Sequence, residues 1–211
     1  MSKGFFLSGT VDAVEDLTPR MRRIRLTGES LRGLRWTPGQ HVRVRVGAIT
    51  LRTYSIWDYD GGLDLCVLDH PGDGPGARWA RDASLGQRVS FTRPEGRLVA
   101  REDAPYHVFI GDATASVAFG AILRALPAGA RVYGVVEAED RLPMPRELTW
   151  TDRLLDTLHA LDLPGEPGVA YLAGEARACQ AARRHLTHDR GWPRRSTIVK
   201  PFWAPGKRGL D

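Results

Sequence analysis

The rhythm of apolar residues changes near residue 100, and that change constrains the fold of this 211-residue chain more than any other feature. Before it, short alternating stretches recur between turn residues at 5–14, 21–27, 41–46, 51–57, 63–68 and 87–91. A period of two puts apolar side chains on one face of a strand, and several short strands with few helices predict a small antiparallel β-barrel. After the change, an apolar run at 108–111 leads into a helical pattern at 114–126. A strand at 130–137, a helix at 151–161, a strand at 169–173 and a helix at 176–187 follow. Strands alternating with helices predict a parallel α/β sheet. The boundary is expected within Leu98 to Pro105, giving a barrel domain over 1–100 and an α/β domain over 101–211.

The barrel half contains Leu51-Arg52-Thr53-Tyr54-Ser55-Ile56-Trp57. On an extended strand Arg52 and Tyr54 share a face, and Ser55 is expected to present its hydroxyl and amide where the strand ends. A cation to neutralise a diphosphate, a flat ring for stacking and a small hydroxyl near a reacting nitrogen are what a flavin needs. The same four residues also suit an ordinary strand with a surface Arg and a half-buried Tyr. About fifteen residues on, Asp69-His70-Pro71-Gly72-Asp73-Gly74-Pro75-Gly76-Ala77-Arg78-Trp79 runs through a Gly-rich turn into a short helix. Free N–H groups at a helix start, approached closely across glycines, favour a phosphate, although most such clusters are plain solvent loops.

Taken in order along the chain, these segments resemble the siderophore-interacting protein family, FAD-dependent ferric-siderophore reductases built like ferredoxin-reductase modules. Residues 14–24 resemble its opening strand and Arg52-Thr53-Tyr54-Ser55 its flavin motif, while His70, Gly74-Pro75-Gly76 and Trp79-Ala80 resemble its phosphate turn. Gly111-Asp112-Ala113-Thr114, Ala173-Gly174-Glu175 and Phe202-Trp203-Ala204-Pro205-Gly206 resemble three later segments. The resemblance implies a two-domain ferredoxin-reductase-like fold, with an N-terminal antiparallel β-barrel for FAD and a C-terminal α/β parallel-sheet domain for NADPH or NADH. It also implies a catalytic pair, Tyr54 and Ser55. FAD would be held by Arg52, Thr53, Tyr54, Ser55, Asp69, His70, Gly74, Pro75, Gly76 and Trp79. The nicotinamide nucleotide would lie near Gly111, Asp112, Thr114, Gly174 and Glu175, with Trp203 beside the flavin or pinning the tail. The chain departs from the family where Ala113 replaces an acid, where the tail has Phe202 and Ala204 in place of Tyr and Arg, and where only 47–50 link two barrel strands. A substrate cleft of altered shape follows from these differences.

Composition narrows the partners. The net charge is +5, with 15 Lys and Arg against 11 Asp and Glu in residues 1–100. The bases are scattered and no nucleic-acid motif is present, so anionic small molecules, a ferric siderophore among them, are the expected partners rather than nucleic acid. No apolar run approaches the roughly 18 to 20 residues that span a bilayer, and the start lacks a signal-peptide core, so no membrane association and a cytoplasmic address are expected. Cys66 and Cys179 lie 113 positions apart without a CxxC or a histidine cluster, so no metal site is expected. His185 and His188 read as a solvated helix face. No GxGxxG, GxSxG or HExxH occurs, which excludes a standard Rossmann claim and disfavours serine hydrolases and zinc enzymes. The most favoured activity is NAD(P)H-driven reduction of Fe(III) in siderophores. The alternatives are a flavin reductase serving a monooxygenase, and a flavin-binding protein with a non-redox role.

Overall fold

A computed structural model describes residues 6–70 and 74–207. The chain forms two compact units, Met1–Val99 and Ala100–Asp211. Phe5, the expected start of the first strand, and the Pro71-Gly72-Asp73 part of the turn lie outside the described residues.

The first unit is a closed six-stranded barrel. Its elements are β1 (Phe6–Thr18), β2 (Met21–Thr27), β3 (His41–Arg45), β4 (Leu51–Tyr59), β5 (Leu63–Leu68), α1 (Pro75–Asp82) and β6 (Arg88–Thr92). The strands run in the order β1-β2-β5-β4-β3-β6, with antiparallel neighbours throughout. Closure removes the edges that an open sheet would leave unpaired. Alternation sends Leu7, Val11, Ile24, Leu26, Val42, Val44, Ile56 and Phe91 into one core, to which Trp79 and Ala80 of α1 also contribute.

The second unit comprises β7 (His107–Asp112), α2 (Ala113–Ala125), β8 (Val132–Glu137), β9 (Thr149–Thr151), α3 (Leu154–His159), β10 (Val169–Glu175), α4 (Ala176–Arg184) and β11 (Thr197–Trp203). All five strands are parallel, in the order β11-β10-β7-β8-β9. The two central strands are buried on both faces, which is why 108–111 and 169–173 read as continuous apolar runs. On one face Val108, Ile110, Ala170 and Leu172 meet Leu158 and Ala182 of the helices. On the other, Phe109 stacks on Tyr171 at 4.9 Å and meets Phe119 of α2 edge-on at 5.2 Å.

Three elements differ from the sequence reading, one of them β11, a strand over Thr197–Trp203 where none was expected. The helix expected over 151–161 begins only at Leu154, because Thr149–Thr151 pairs with β8 as the edge strand β9. The helix expected to reach Thr187 gives way at His185 to a π turn over His185–Asp189, closed by the Arg190 N–H on the His185 carbonyl at 3.1 Å. Among the described residues no helix is long and apolar enough to cross a membrane.

Candidate functional site

In the barrel unit the antiparallel register sets Val44 opposite Arg52 and Val42 opposite Tyr54, so the two side chains share the face of two buried valines. Tyr54 stacks on Trp79 with ring centroids 5.3 Å apart and an interplanar angle of 29°. Trp79 is itself buried, so it backs Tyr54 and leaves only the opposite face of the phenol ring for a planar ligand. Burial pushes the Tyr54 phenol above its ordinary pKa, and the neighbouring Arg52 charge opposes this only partly, so the phenol stays neutral. The Arg52 guanidinium donates to the Leu51 carbonyl at 2.7 Å and has no carboxylate partner among the described residues.

Gly76 brings the start of α1 against this pair. A Cβ there would lie 2.7 Å from the Tyr54 hydroxyl and 3.1 Å from Arg52 Cγ. The helix has Gly74 at its N-cap, Pro75 at its start and no acidic side chain in its first turn. A cation with no carboxylate partner among the described residues, a first helical turn without acids and a glycine that keeps the approach open form a cradle that suits a diphosphate, and Tyr54 adds a neutral aromatic face. These residues fit FAD.

Other residues of the flavin reading sit differently. β4 continues to Tyr59, so Ser55 is mid-strand rather than at the strand's end, and alternation turns the Thr53 and Ser55 side chains to the face opposite Tyr54. Thr53 is exposed and Ser55 is paired in register with His41. The Asp69 carboxylate accepts from Arg81 of α1 at 2.9 Å, and its backbone N–H donates to the Arg20 carbonyl at 2.7 Å. Asp69 thus ties the loop to the barrel and to α1. His70 is exposed just before the turn.

In the α/β unit the chain crosses from β7 to β8 on one side and has β10 on the other, so the carboxyl ends of β7 and β10 form a topological switch point, where open α/β sheets bind ligands. Asp112, Thr114, Gly174, Glu175 and Trp203 come together there. The Asp112 carboxylate is the hub. Its Oδ1 accepts from the Thr114 N–H at 2.8 Å, the Thr114 hydroxyl at 2.5 Å and the Ala115 N–H at 3.4 Å, which caps α2. Its Oδ2 accepts from the Glu175 N–H and from Trp203 Nε1, both at 2.8 Å. With five donors on it, this carboxylate joins three strands and a helix and has little left for a nucleotide.

Gly111 and Gly174 are explained in the same way. A Cβ on Gly111 would lie 2.3 Å from the Ala173 carbonyl oxygen, and one on Gly174 would lie 2.6 Å from the Asp112 carboxylate. Gly174 also has φ +112°, a conformation that favours glycine. Both positions are reserved for close packing of strand ends.

The capacity left for a ligand lies alongside. Glu175 Oε2 caps α4 by accepting from the Ala178 N–H at 2.7 Å, while Glu175 Oε1 is buried without a partner. Glu175 lines an open pocket of about 790 Å³ together with Glu137, Leu154, Arg177, Gln180 and Arg184. Neither Arg177 nor Arg184 pairs with a carboxylate among the described residues, so the pocket offers two cations and an unsatisfied acceptor. Sequence reasoning passes over both arginines. Their spacing of seven along α4 was the available signal, since it puts them on one helix face.

Comparison with known proteins gives these geometries a context. Residues 104–206 match the family profile described as siderophore-interacting protein, and residues 45–98 match that of the siderophore-interacting FAD-binding domain. The ferric vibriobactin reductase ViuB of Vibrio cholerae serotype O1 is 27% identical over 176 residues, covering 74% of this chain and 65% of the relative. The chain therefore matches just under two thirds of that relative's length. A siderophore utilization protein from T. fusca superposes with a TM-score of 0.82 at 28% identity, covering 98% of this chain and 95% of that one. A cytochrome P450 reductase of Amycolatopsis superposes with a TM-score of 0.81 at 20% identity, covering 96% and 71%, and shows the shared ferredoxin-reductase-like fold.

Proposed function

The chain belongs to the siderophore-interacting protein family, and from that membership we propose that it is an FAD-dependent NAD(P)H oxidoreductase acting on Fe(III) in siderophores. The observation that carries the reading is the cradle of Arg52, Tyr54 and Gly76, where a cation with no carboxylate partner among the described residues and a neutral ring lie against a helix start. Arg52 and the first-turn N–H groups of α1 would oppose the FAD diphosphate. Tyr54, backed by Trp79, would offer its free face for stacking. When bound, FAD supplies an acceptor for a nicotinamide hydride and a donor of single electrons to Fe(III).

In the α/β unit, the buried Glu175 Oε1 supports a role in accepting a hydroxyl or amide N–H of the nicotinamide nucleotide. Arg177 and Arg184 support a role in holding its phosphates. Fe(II) is held by hard oxygen donors less tightly than Fe(III), so reduction itself loosens the chelate and no protein ligand to the iron is required. The excess of basic residues in the first hundred residues favours an anionic chelate.

Anaerobic capture of Fe(II) by ferrozine tests this reading, with anionic and neutral ferric siderophores run beside reduction of free flavin. The expected result is faster release from the anionic chelate, with a preference that shrinks as salt rises. Fast reduction of free flavin, with iron released only at the rate reduced flavin reaches in solution, would point instead to a flavin reductase that serves a monooxygenase.

A further inference from the structure

Three side chains of the α/β unit converge away from the sheet apex and from Gly111, Asp112 and Glu175. His159 is the last residue of α3, and His185 and Asp189 open and close the π turn that follows α4. Their candidate donor atoms all lie within 4.8 Å of one another. His185 Nδ1 is 2.9 Å from Asp189 Oδ2, and the His159 and His185 rings are tilted at 54° with centroids 4.3 Å apart. His185 is half-buried, and its second nitrogen, Nε2, is enclosed without a hydrogen-bond partner. π turns inside helices occur often at functional sites, and this one sets a histidine and a carboxylate four positions apart on the same side.

We propose that His159, His185 and Asp189 form a binding site for a divalent transition-metal ion. Two imidazoles and one carboxylate suit Zn(II), Co(II), Ni(II) or Cu(II), whereas Mg(II) and Ca(II) demand oxygen ligands. Donors about 2.0 to 2.2 Å from one ion lie roughly 3 to 3.5 Å apart, so the His185–Asp189 pair is already close to ligand spacing. His159 is exposed and has room to turn the remaining distance. With three protein donors, water would complete the coordination. The site would tie the end of α3 to the turn after α4, two helices that share the core of one sheet face. This site requires neither flavin nor nicotinamide, and its chemistry is separate from the iron that the proposed reaction handles. His188, three residues from His185, is not one of the three.

The test uses the tag-free chain, stripped with chelator and titrated with Co(II) while the visible d–d bands are recorded, and separately with Zn(II) by calorimetry. The expected result is saturation at one equivalent, a rise in melting temperature with Zn(II), and at least tenfold weaker binding in both His159→Ala and His185→Ala. His188→Ala should bind as the parent does. His159 is exposed, so its variant keeps the question answerable even if His185→Ala folds poorly. Absence of stoichiometric binding at micromolar metal would overturn the proposal, as would binding that survives unchanged in His159→Ala.

Discussion

The barrel unit and the α/β unit both bring their distinctive residues together, but they use them in opposite ways. In the barrel, Arg52 has no carboxylate partner among the described residues, Tyr54 is a neutral phenol with one face backed, and Gly76 keeps a helix start within reach of both. At the α/β apex, the Asp112 carboxylate takes five hydrogen bonds from the protein itself, and Gly111 and Gly174 are glycines because neighbouring atoms fill the space a Cβ would need. The difference teaches that a motif's residues can mark a site without being what touches the ligand. In one unit they stand ready for a ligand. In the other they build the ledge, and the capacity left for a ligand is Glu175 Oε1, buried without a partner among the described residues, beside the exposed Arg177 and Arg184.

The sharpest way to break this contrast is at the two glycines. Gly111→Ala sets a methyl against a backbone carbonyl that cannot move away, and should cost about 3 kcal/mol or more, a large drop in melting temperature. Gly76→Ala meets instead the far end of the Tyr54 side chain, so it should lose flavin while melting close to the parent temperature. Thermal melts of the apo variants beside flavin retention would separate the two. A Gly111→Ala chain that melts normally would show that the apex is not packed as described.

Asp112→Asn comes next. The amide cannot accept on both sides, so either the α2 cap or the Glu175 and Trp203 bonds fail, at roughly 2 to 3 kcal/mol in chemical denaturation. Unchanged stability with lost NAD(P)H oxidation would turn Asp112 from a clamp into a ligand contact.

Arg52→Ala should do the reverse, weakening FAD about ten- to a hundredfold, or roughly 1.4 to 2.7 kcal/mol, with apo stability within about 0.5 kcal/mol of the parent. Equilibrium titration with FAD measures the first and denaturation the second. Full flavin affinity in this variant would remove the diphosphate cradle.

The smallest effect is a pH dependence confined to the α/β unit. The Tyr171 hydroxyl accepts the Arg101 N–H at 2.9 Å and hydrogen-bonds His107 Nδ1 at 3.1 Å. Burial, aided by the Arg146 charge, holds the His107 pKa below its ordinary value, whereas the unfolded chain titrates near about 6.5. Because the unfolded state takes up the proton first, the stability from neutral His107 is complete above that value. It is lost as pH falls through that value toward the folded-state pKa. His107→Asn should flatten the decline in denaturant midpoint below neutrality, and an equally steep decline in the variant would assign it elsewhere.

Most of the fold was legible in the sequence because both periods are strong. The bounds of β2 and β5 read directly from alternation, and the fully buried β7 and β10 read as apolar runs. What escaped was short or half-covered. β9 has only three residues, too few for a period, and β11 carries Lys200 and Pro201 and is only partly covered along its length. The π turn cannot be seen in a pattern that still looks helical. At the site, residue types were legible but their partners were not. Asp112 and Thr114 read as nucleotide contacts, and the Glu175 and Trp203 bonds that make the Asp112 carboxylate a clamp come from 63 and 91 residues away, beyond the reach of any local pattern. The strand's extension to Tyr59 likewise moved Ser55 from a strand end to its middle.

The most direct test of the functional reading is an anaerobic absorbance titration of the flavin-loaded protein, first with NADH or NADPH and then with an anionic ferric siderophore. The expected result is loss of the oxidised-flavin band on adding at least one of the nucleotides, and its return when the siderophore is added, with Fe(II) appearing in step. A band that neither nucleotide diminishes, although dithionite bleaches it, would contradict that reading and leave the barrel unit as a flavin holder without nicotinamide-driven turnover.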